Sequence, residues 1–483
     1  MSVDAVVVGS GPNGLAAAVT LARAGLAVEV FEAHDTIGGG LRTEALFDSD
    51  VVHDICSAVH PMAVAAPFFR EFDLPARGVE LRRSDAAYAH PLPDGPAAVA
   101  YRDLARTCER LGRDGPRWRR LMEPLTAHSE DFVRLILQGP TALGRVGPRV
   151  LLALGTRVLA HGTPRAPGQF TDEPARALLT GVAAHAIGPL PSIASGTVAM
   201  LLGHLAHTSG WPLPRGGSAR IAQALADDLI AHGGTLYTGI RVDDLRDLPP
   251  ARIVLLDISP KEVIRIAGHA LPAGYARRLR RFRYGPGAAK ADFLLSEPVP
   301  WADPDTAAAA TVHLGGTQQE MFHQETRTAR GSATGEPFVL LVDPTVADPT
   351  RARPGKRPLW AYAHVPNGST EDPLPLIRAR IERYAPGFTD TVVAERATSA
   401  AAMEQYNPNY VGGDIGAGAM TLGQSLFRPT IQRDPYRTPL PGVYLCSAST
   451  PPGPSVHGMS GYLAARSALR REAGVREFPA LAP

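Results

Sequence analysis

Val3-Asp4-Ala5-Val6-Val7-Val8-Gly9-Ser10-Gly11-Pro12-Asn13-Gly14 decides the fold, together with the Ala/Leu-rich run to Ala24, Gly25, and Val28-Glu29-Val30-Phe31-Glu32. Val3 to Val8 is short, apolar and β-branched, as a buried parallel strand requires. Gly9 permits a tight turn, Gly11 lets backbone approach a pyrophosphate, and Gly14 lets the next helix lie close to the strand. Ser10, Pro12 and Asn13 complete a turn whose free N–H groups and positive helix end face phosphate. Leu15 to Ala24 are good helix formers, and Gly25 stands where a left-handed C-terminal cap belongs. Glu32 follows Gly14 by eighteen residues. An acidic side chain there accepts ribose hydroxyls, with Ala33 beside it. Strand, turn, helix and strand in this order predict a Rossmann-like domain on a parallel sheet.

A second glycine turn, Gly38-Gly39-Gly40-Leu41-Arg42-Thr43, comes soon after Glu32. It lets backbone pass close to the rest of a dinucleotide, and Arg42 can pair with phosphates. With this turn the sequence resembles the FAD-binding flavoproteins of the amine oxidase and phytoene desaturase superfamily. Their signature is the fingerprint, an acidic residue, then Gly-Gly-x-x-Arg-Thr. The resemblance implies FAD as cofactor, held in part by Gly39, Gly40, Leu41 and Arg42. It returns near the C-terminus in Tyr-Leu-Cys-Ser-Ala-Ser-Thr-Pro-Pro-Gly-Pro-Ser-Val-His-Gly-Met-Ser-Gly, residues 444–461. This run is similar to the last FAD motif of the phytoene dehydrogenase-like branch, which includes the mitochondrial pyridine nucleotide-disulphide oxidoreductase domain protein. Asn407-Pro408-Asn409, Gly412-Gly413-Asp414 and Arg428-Pro429 also fit that branch. The chain departs from it at Ser447 and Pro454, where the branch has glycine. The acidic residue near Ala448 that bonds the ribityl chain in the superfamily is missing from this branch, so Ser447, Ser449 or backbone must substitute. By motif matching, the amides of Gly458 and Met459 face flavin O2 and N1, and His457 lies close by, to act on substrate or to cap the loop. The segment of Val242 matches the family's backbone contact to adenine. Lys290 resembles the amine oxidase lysine that holds a water beside flavin N5.

The 483 residues suffice for two or three intergrown domains. A net charge of +2 argues against general nucleic-acid binding. Cys56, Cys108 and Cys446 are widely spaced, so neither a metal site nor a redox disulfide is expected. The first strand begins at once, and no apolar run approaches the ~20 residues of a spanning helix, which points to a cytoplasmic protein. The Ala, Arg, Pro and Gly content suggests a bacterial source.

The expected fold is α/β: a Rossmann-like FAD-binding domain from residues 1–60, 210–265 and 435–475, with an inserted α+β substrate domain from 61–209 and 266–434. Its helical cap covers about 117–208 and its sheet about 282–400. Strands are predicted at Glu80 to Arg83, Ala97 to Tyr101, Thr235 to Tyr237, Arg241 to Leu245 and Ile253 to Asp257, and His53, Asp54 and His60 are candidates for polar contacts near the flavin or for a local turn. Between Arg117 and Arg165, eight arginines, Arg145 among them, face three acidic residues. A basic amphipathic helix can lie on an anionic membrane surface. A solvated face over an apolar channel is the reading carried forward. His185, His204 and His207 are expected to be packing histidines.

These readings predict an FAD-dependent dehydrogenase or desaturase taking hydride from a largely apolar small molecule onto flavin N5. An amine oxidase-type enzyme is the first alternative, disfavoured by an aromatic content of 6%. The second is a structural FAD in an isomerase or interaction partner. Gly416-Ala417-Gly418 lacks the strand and third glycine of an NAD(P)H site. The expected electron acceptor is therefore oxygen or a quinone. A homodimer is compatible with the sequence.

Overall fold

The computed structural model describes residues 3–483 apart from 94, 139–143, 145 and 334, so Arg145 lies outside the described residues. Five parallel strands form the first sheet, in the order Val443–Leu445, Ile253–Leu256, Ala5–Val8, Val28–Phe31 and Thr235–Tyr237. Helices cover this sheet, so its central strand, Ala-Val-Val-Val, is apolar without alternation. In register, Val8 stands beside Leu256 on one side and Phe31 on the other. Gly9, Asp257 and Glu32 therefore leave the sheet together at its carboxyl edge. Helix Pro12–Arg23 starts there, with Gly11 at its N-cap and Pro12 in its first turn. The last helix, Met459–Glu472, crosses it so closely that a Cβ on Gly461 would lie 1.7 Å from the Asn13 carbonyl oxygen. The first turns of the two helices thus sit side by side.

Arg241 to Leu245 is not a strand. The chain runs irregularly into the short turn Leu245–Asp247, where the Asp244 carboxylate accepts the Arg246 N–H at 2.9 Å and Asp247 accepts that of Asp244 at 3.1 Å. Such local side-chain bonds compete with a sheet ladder.

The second sheet has seven strands, in the order Val392–Thr398, Gly287–Leu295, Arg357–Val365, Val339–Val342, Thr311–Leu314, Ala86–Leu92 and Gly95–Tyr101. Its pairs are antiparallel except that between Thr311–Leu314 and Ala86–Leu92. Ala86–Leu92 is almost wholly buried, so it shows no period of two, and Pro91 marks it as a loop in sequence. Helices Gly115–Ala127, Ser129–Gln138, Pro148–His161 and Glu173–Ala183 pack around Ile193–Ala206, and of these five Ser129–Gln138 and Ile193–Ala206 line the cavity. Several arginines of the basic run are used internally. Arg117 pairs with Asp114, Arg134 with Asp131, and Arg157 donates to the carbonyls of Arg120 and Leu121. Among the described residues, no helix is long and apolar enough to cross a membrane.

Candidate cofactor and substrate site

One cavity of about 1900 Å³ runs from the fingerprint turn to the wall of the seven-stranded sheet. Gly9, Ser10, Gly11, Pro12, Asn13, Glu32, Ala33, Gly39, Gly40, Arg42, Val242, Ser447 and His457 all line it. Gly14, Leu41, Lys290, Gly458 and Met459 stand behind its surface.

The phosphate end is built from two glycine turns in contact. A Cβ on Gly39 would come 3.1 Å from the Gly11 Cα, and one on Gly14 would come 2.2 Å from the Gly9 carbonyl oxygen. Glu32 joins the turns: its carboxylate accepts the Ser10 N–H at 2.9 Å, the Ser10 hydroxyl at 2.6 Å and the Arg42 guanidinium at 3.0 Å. Arg42 also donates to the Thr36 carbonyl. Asn13 is buried and its Oδ1 has no protein partner among the described residues. Glycine turns that any side chain would fill fit the phosphates of a dinucleotide, and the orphaned Asn13 acceptor with the acidic residue at the second strand's end fits ribose hydroxyls. Ile240, Arg241, Val242 and Arg265 line another stretch of the wall, and the Val242 carbonyl accepts from Arg265 at 2.9 Å.

The C-terminal loop closes the cavity opposite the fingerprint. His457 Nδ1 accepts the Met459 N–H at 3.0 Å, and its Nε2 lies 3.1 Å from the Gly453 carbonyl. Both ring nitrogens are engaged, and burial lowers the ring's pKa to about 4, so the ring is neutral and caps the loop. The Met459 amide is therefore committed to His457, and the lining belongs to Pro454, Ser455, Val456 and His457. Arg428 explains the Arg-Pro motif. Its buried guanidinium donates to the carbonyls of Ala448 and Gly418 at 2.9 and 3.1 Å, tying this loop to the segment anchored by Asp414.

Lys290 lies under the cavity wall. Its ammonium pairs with Asp292 and donates to the Asp54 carbonyl at 3.1 Å, and it stands 5.5 Å from the Trp360 ring centre. Asp54 is a hub between distant segments. Its carboxylate accepts from Thr43, from the Ser218 N–H and from Arg351 at 2.6 Å. Burial opposes its charge, but Arg351 and these donors outweigh that and hold the carboxyl below its usual range. His53 and His60 bond to the Phe293 carbonyl and the Ser218 hydroxyl, away from the cavity. These three residues hold the wall segment whose Cys56 to Val59 do line the cavity.

The far end is apolar, with Ile187, Ile193, Leu201, Leu340, Val342 and Trp360 among its residues. His185 is not merely packed there: it lines the cavity, with its Nε2 2.9 Å from that of His313. Burial lowers its pKa to about 3, so the pair is neutral, one ring donating and the other accepting. Asp257 is the second site residue the sequence reading passed over. Its only signal was a carboxylate at the end of a buried parallel strand. In the fold it faces the fingerprint, accepting the Gly14 N–H at 2.8 Å.

Residues 7–72 match the family model of an NAD(P)-binding Rossmann-like domain. The mouse pyridine nucleotide-disulfide oxidoreductase domain-containing protein 2 is 26% identical over 97% of this chain and 93% of its own. Phytoene dehydrogenase from Streptomyces griseus is 28% identical over 81% of this chain and 77% of its own. In architecture the chain is similar to a putrescine oxidase variant redesigned in cofactor binding, with a TM-score of 0.60, 17% identity and coverage of 98% and 99%. A Rossmann-like parallel sheet beside a mixed sheet, and sequence similarity along most of the chain, make it similar to a phytoene dehydrogenase, and the putrescine oxidase likeness shows the fold.

Proposed function

We propose that this protein is an FAD-dependent oxidoreductase that dehydrogenates a largely apolar small molecule. The observation that carries this reading is a cavity continuous from the fingerprint turn to an apolar wall of Ile, Leu, Val and Trp side chains. FAD bound there supplies an acceptor for hydride from carbon at N5. Ser10, Asn13, Glu32 and Arg42 would hold its phosphate and ribose part, Val242 would stand at its adenine, and the Ser447 to His457 loop would line the rest of its site. The apolar wall excludes water and holds substrate by its hydrocarbon surface. Exposed Leu422, Leu426 and Phe427 also line the cavity, which supports entry of an apolar substrate beside them. Oxygen or a quinone is the proposed acceptor of the electrons.

Amine oxidation is the second reading. Trp360 and Tyr362 both line the cavity and stack at 5.8 Å with an angle of 15° between rings. Two stacked rings in the wall offer a face to a cationic amine. The test is the visible spectrum of purified protein, followed by anaerobic addition of terpenoid hydrocarbons, lipophilic alcohols and amines. Flavin bands bleached by one compound class support the proposal and name the class. A protein that takes up no FAD refutes it, and a yellow protein that none of them bleaches moves the assignment to structural FAD.

A further inference from the structure

Asp257 occupies the place where the fingerprint should meet an anion. The residue follows strand Ile253–Leu256, and its own N–H donates to the Val8 carbonyl at 2.8 Å, which brings its carboxyl under the turn. All three fingerprint glycines close around it. A Cβ on Gly11 or Gly14 would lie 2.7 or 2.9 Å from Asp257 Oδ2, and one on Gly9 would lie 2.9 Å from its carbonyl oxygen. Oδ2 accepts the Gly14 N–H at 2.8 Å, and the Gly11 amide bonds to the same carboxyl. Asp257 lines the cavity beside Asn13, whose buried Oδ1 is unpartnered. The amides and helix dipole that would receive a pyrophosphate therefore already hold a carboxyl group.

The neighbours do not neutralise it. Glu32, at the end of the second strand, is the charged group that acts on it most directly, and it is itself acidic. Arg42 is turned to Glu32 at 3.0 Å. The Cys446 thiol faces it from the last strand. On the following helix, Glu262 is paired with Arg265 at 2.7 Å. Burial outweighs the Gly14 and Gly11 amides, which favour the charged form, and with Glu32 adding to it pushes the Asp257 carboxyl well above its usual range. A pyrophosphate beside an ionised Asp257 would put like charges together in a buried place. A protonated Asp257 keeps a carbonyl oxygen for the glycine amides and offers its O–H to a phosphate oxygen.

We infer that the dinucleotide binds with Asp257 protonated, so that cofactor uptake is coupled to one proton at this carboxyl. The inference rests on the FAD reading. It makes Asp257 a cofactor-facing residue, and it makes retention of FAD weaken in alkaline solution.

Calorimetric titration of the flavin-free full chain with FAD between about pH 6 and 10, in buffers of different ionisation enthalpy, tests it. The expected result is proton uptake on binding at the alkaline end, with Kd rising roughly tenfold per pH unit there. Asp257→Asn keeps the acceptor and supplies a permanent N–H donor. It is expected to bind FAD with that slope and that proton uptake removed. ADP, which carries the pyrophosphate without the flavin, is expected to show the same coupling. As a measurement that needs no variant, the infrared difference spectrum of FAD-loaded minus flavin-free protein at alkaline pH is expected to show a protonated carboxyl stretch. Alkaline-end FAD binding with no proton uptake, uptake unchanged in Asp257→Asn, or no carboxyl band overturns the inference while leaving FAD as cofactor. Failure of FAD to bind at any pH overturns the FAD reading instead.

Discussion

Replacing Arg351 by Met removes the cation from a buried pair while keeping an unbranched stem. Arg351 Nη1 lies 2.6 Å from Asp54 Oδ2, with side chains 2% and 1% exposed, and Nη2 donates to the Val52 carbonyl at 2.8 Å. Breaking such a pair from one side leaves an uncompensated charge, at a cost of about 3–5 kcal/mol. At roughly 2.1 cal/mol/K per residue the 483 residues carry an unfolding entropy of about 1 kcal/mol/K, so Tm should fall by about 3–5 °C. Asp54→Asn in the same background removes the stranded charge and still accepts from Ser218 and Thr43. The double variant should recover most of the loss. The sign with pH follows from the depressed carboxyl of Asp54. Its contribution is present above the ordinary value of 3.8 and is lost as pH falls through the lower folded value. The deficit of Arg351→Met is therefore largest at neutral pH and narrows toward pH ~3, where the unfolded chain is also protonated. Scanning calorimetry of the single and double variants across pH measures this, with flavin content followed in parallel, because Asp54 also braces the Cys56 to Val59 wall. A drop under about 1 °C, or a double variant no more stable than Arg351→Met, would refute the reasoning.

His457→Ala should weaken FAD retention by freeing the Met459 amide and the Gly453 carbonyl, measured as flavin released on dilution. Because the ring is neutral with a pKa of about 4, the fold-loss should be the same from about pH 6 to 9. Gly461→Ala forces a Cβ against the Asn13 carbonyl oxygen at 1.7 Å and should separate the two helices at the phosphate end. Overpacking of this kind costs about 1–3 kcal/mol or more, and soluble yield and flavin per chain should both drop. Lys290→Met strands Asp292 under the wall and should lower Tm, and Lys290→Met with Asp292→Asn should restore it with FAD retained. A lysine acting from the cavity would instead leave the double variant stable but changed in the rate at which oxygen restores the bleached spectrum.

The sequence by itself determined the Rossmann-like part of this protein, because that part is written in local terms. A β-branched strand, a glycine turn, an alanine-rich helix and Glu32 lie within thirty residues, each specified by its own backbone preferences. The C-terminal motif is legible for the same reason. The contacts that build the cavity and its walls were decided only by tertiary structure. Asp257 meets Gly14 across 243 positions, Arg351 meets Asp54 across 297, and His313 meets His185 across 128. No periodicity records which distant segments share a neighbour. Lys290 could be recognised as a lysine in a strand, but only the packed sheet brings its ammonium to Asp292 and the Asp54 carbonyl. Ala86–Leu92 was hidden for a related reason. Buried on both faces and carrying Pro91, it has no alternation to read until its partners at Gly95–Tyr101 and Thr311–Leu314 are in place.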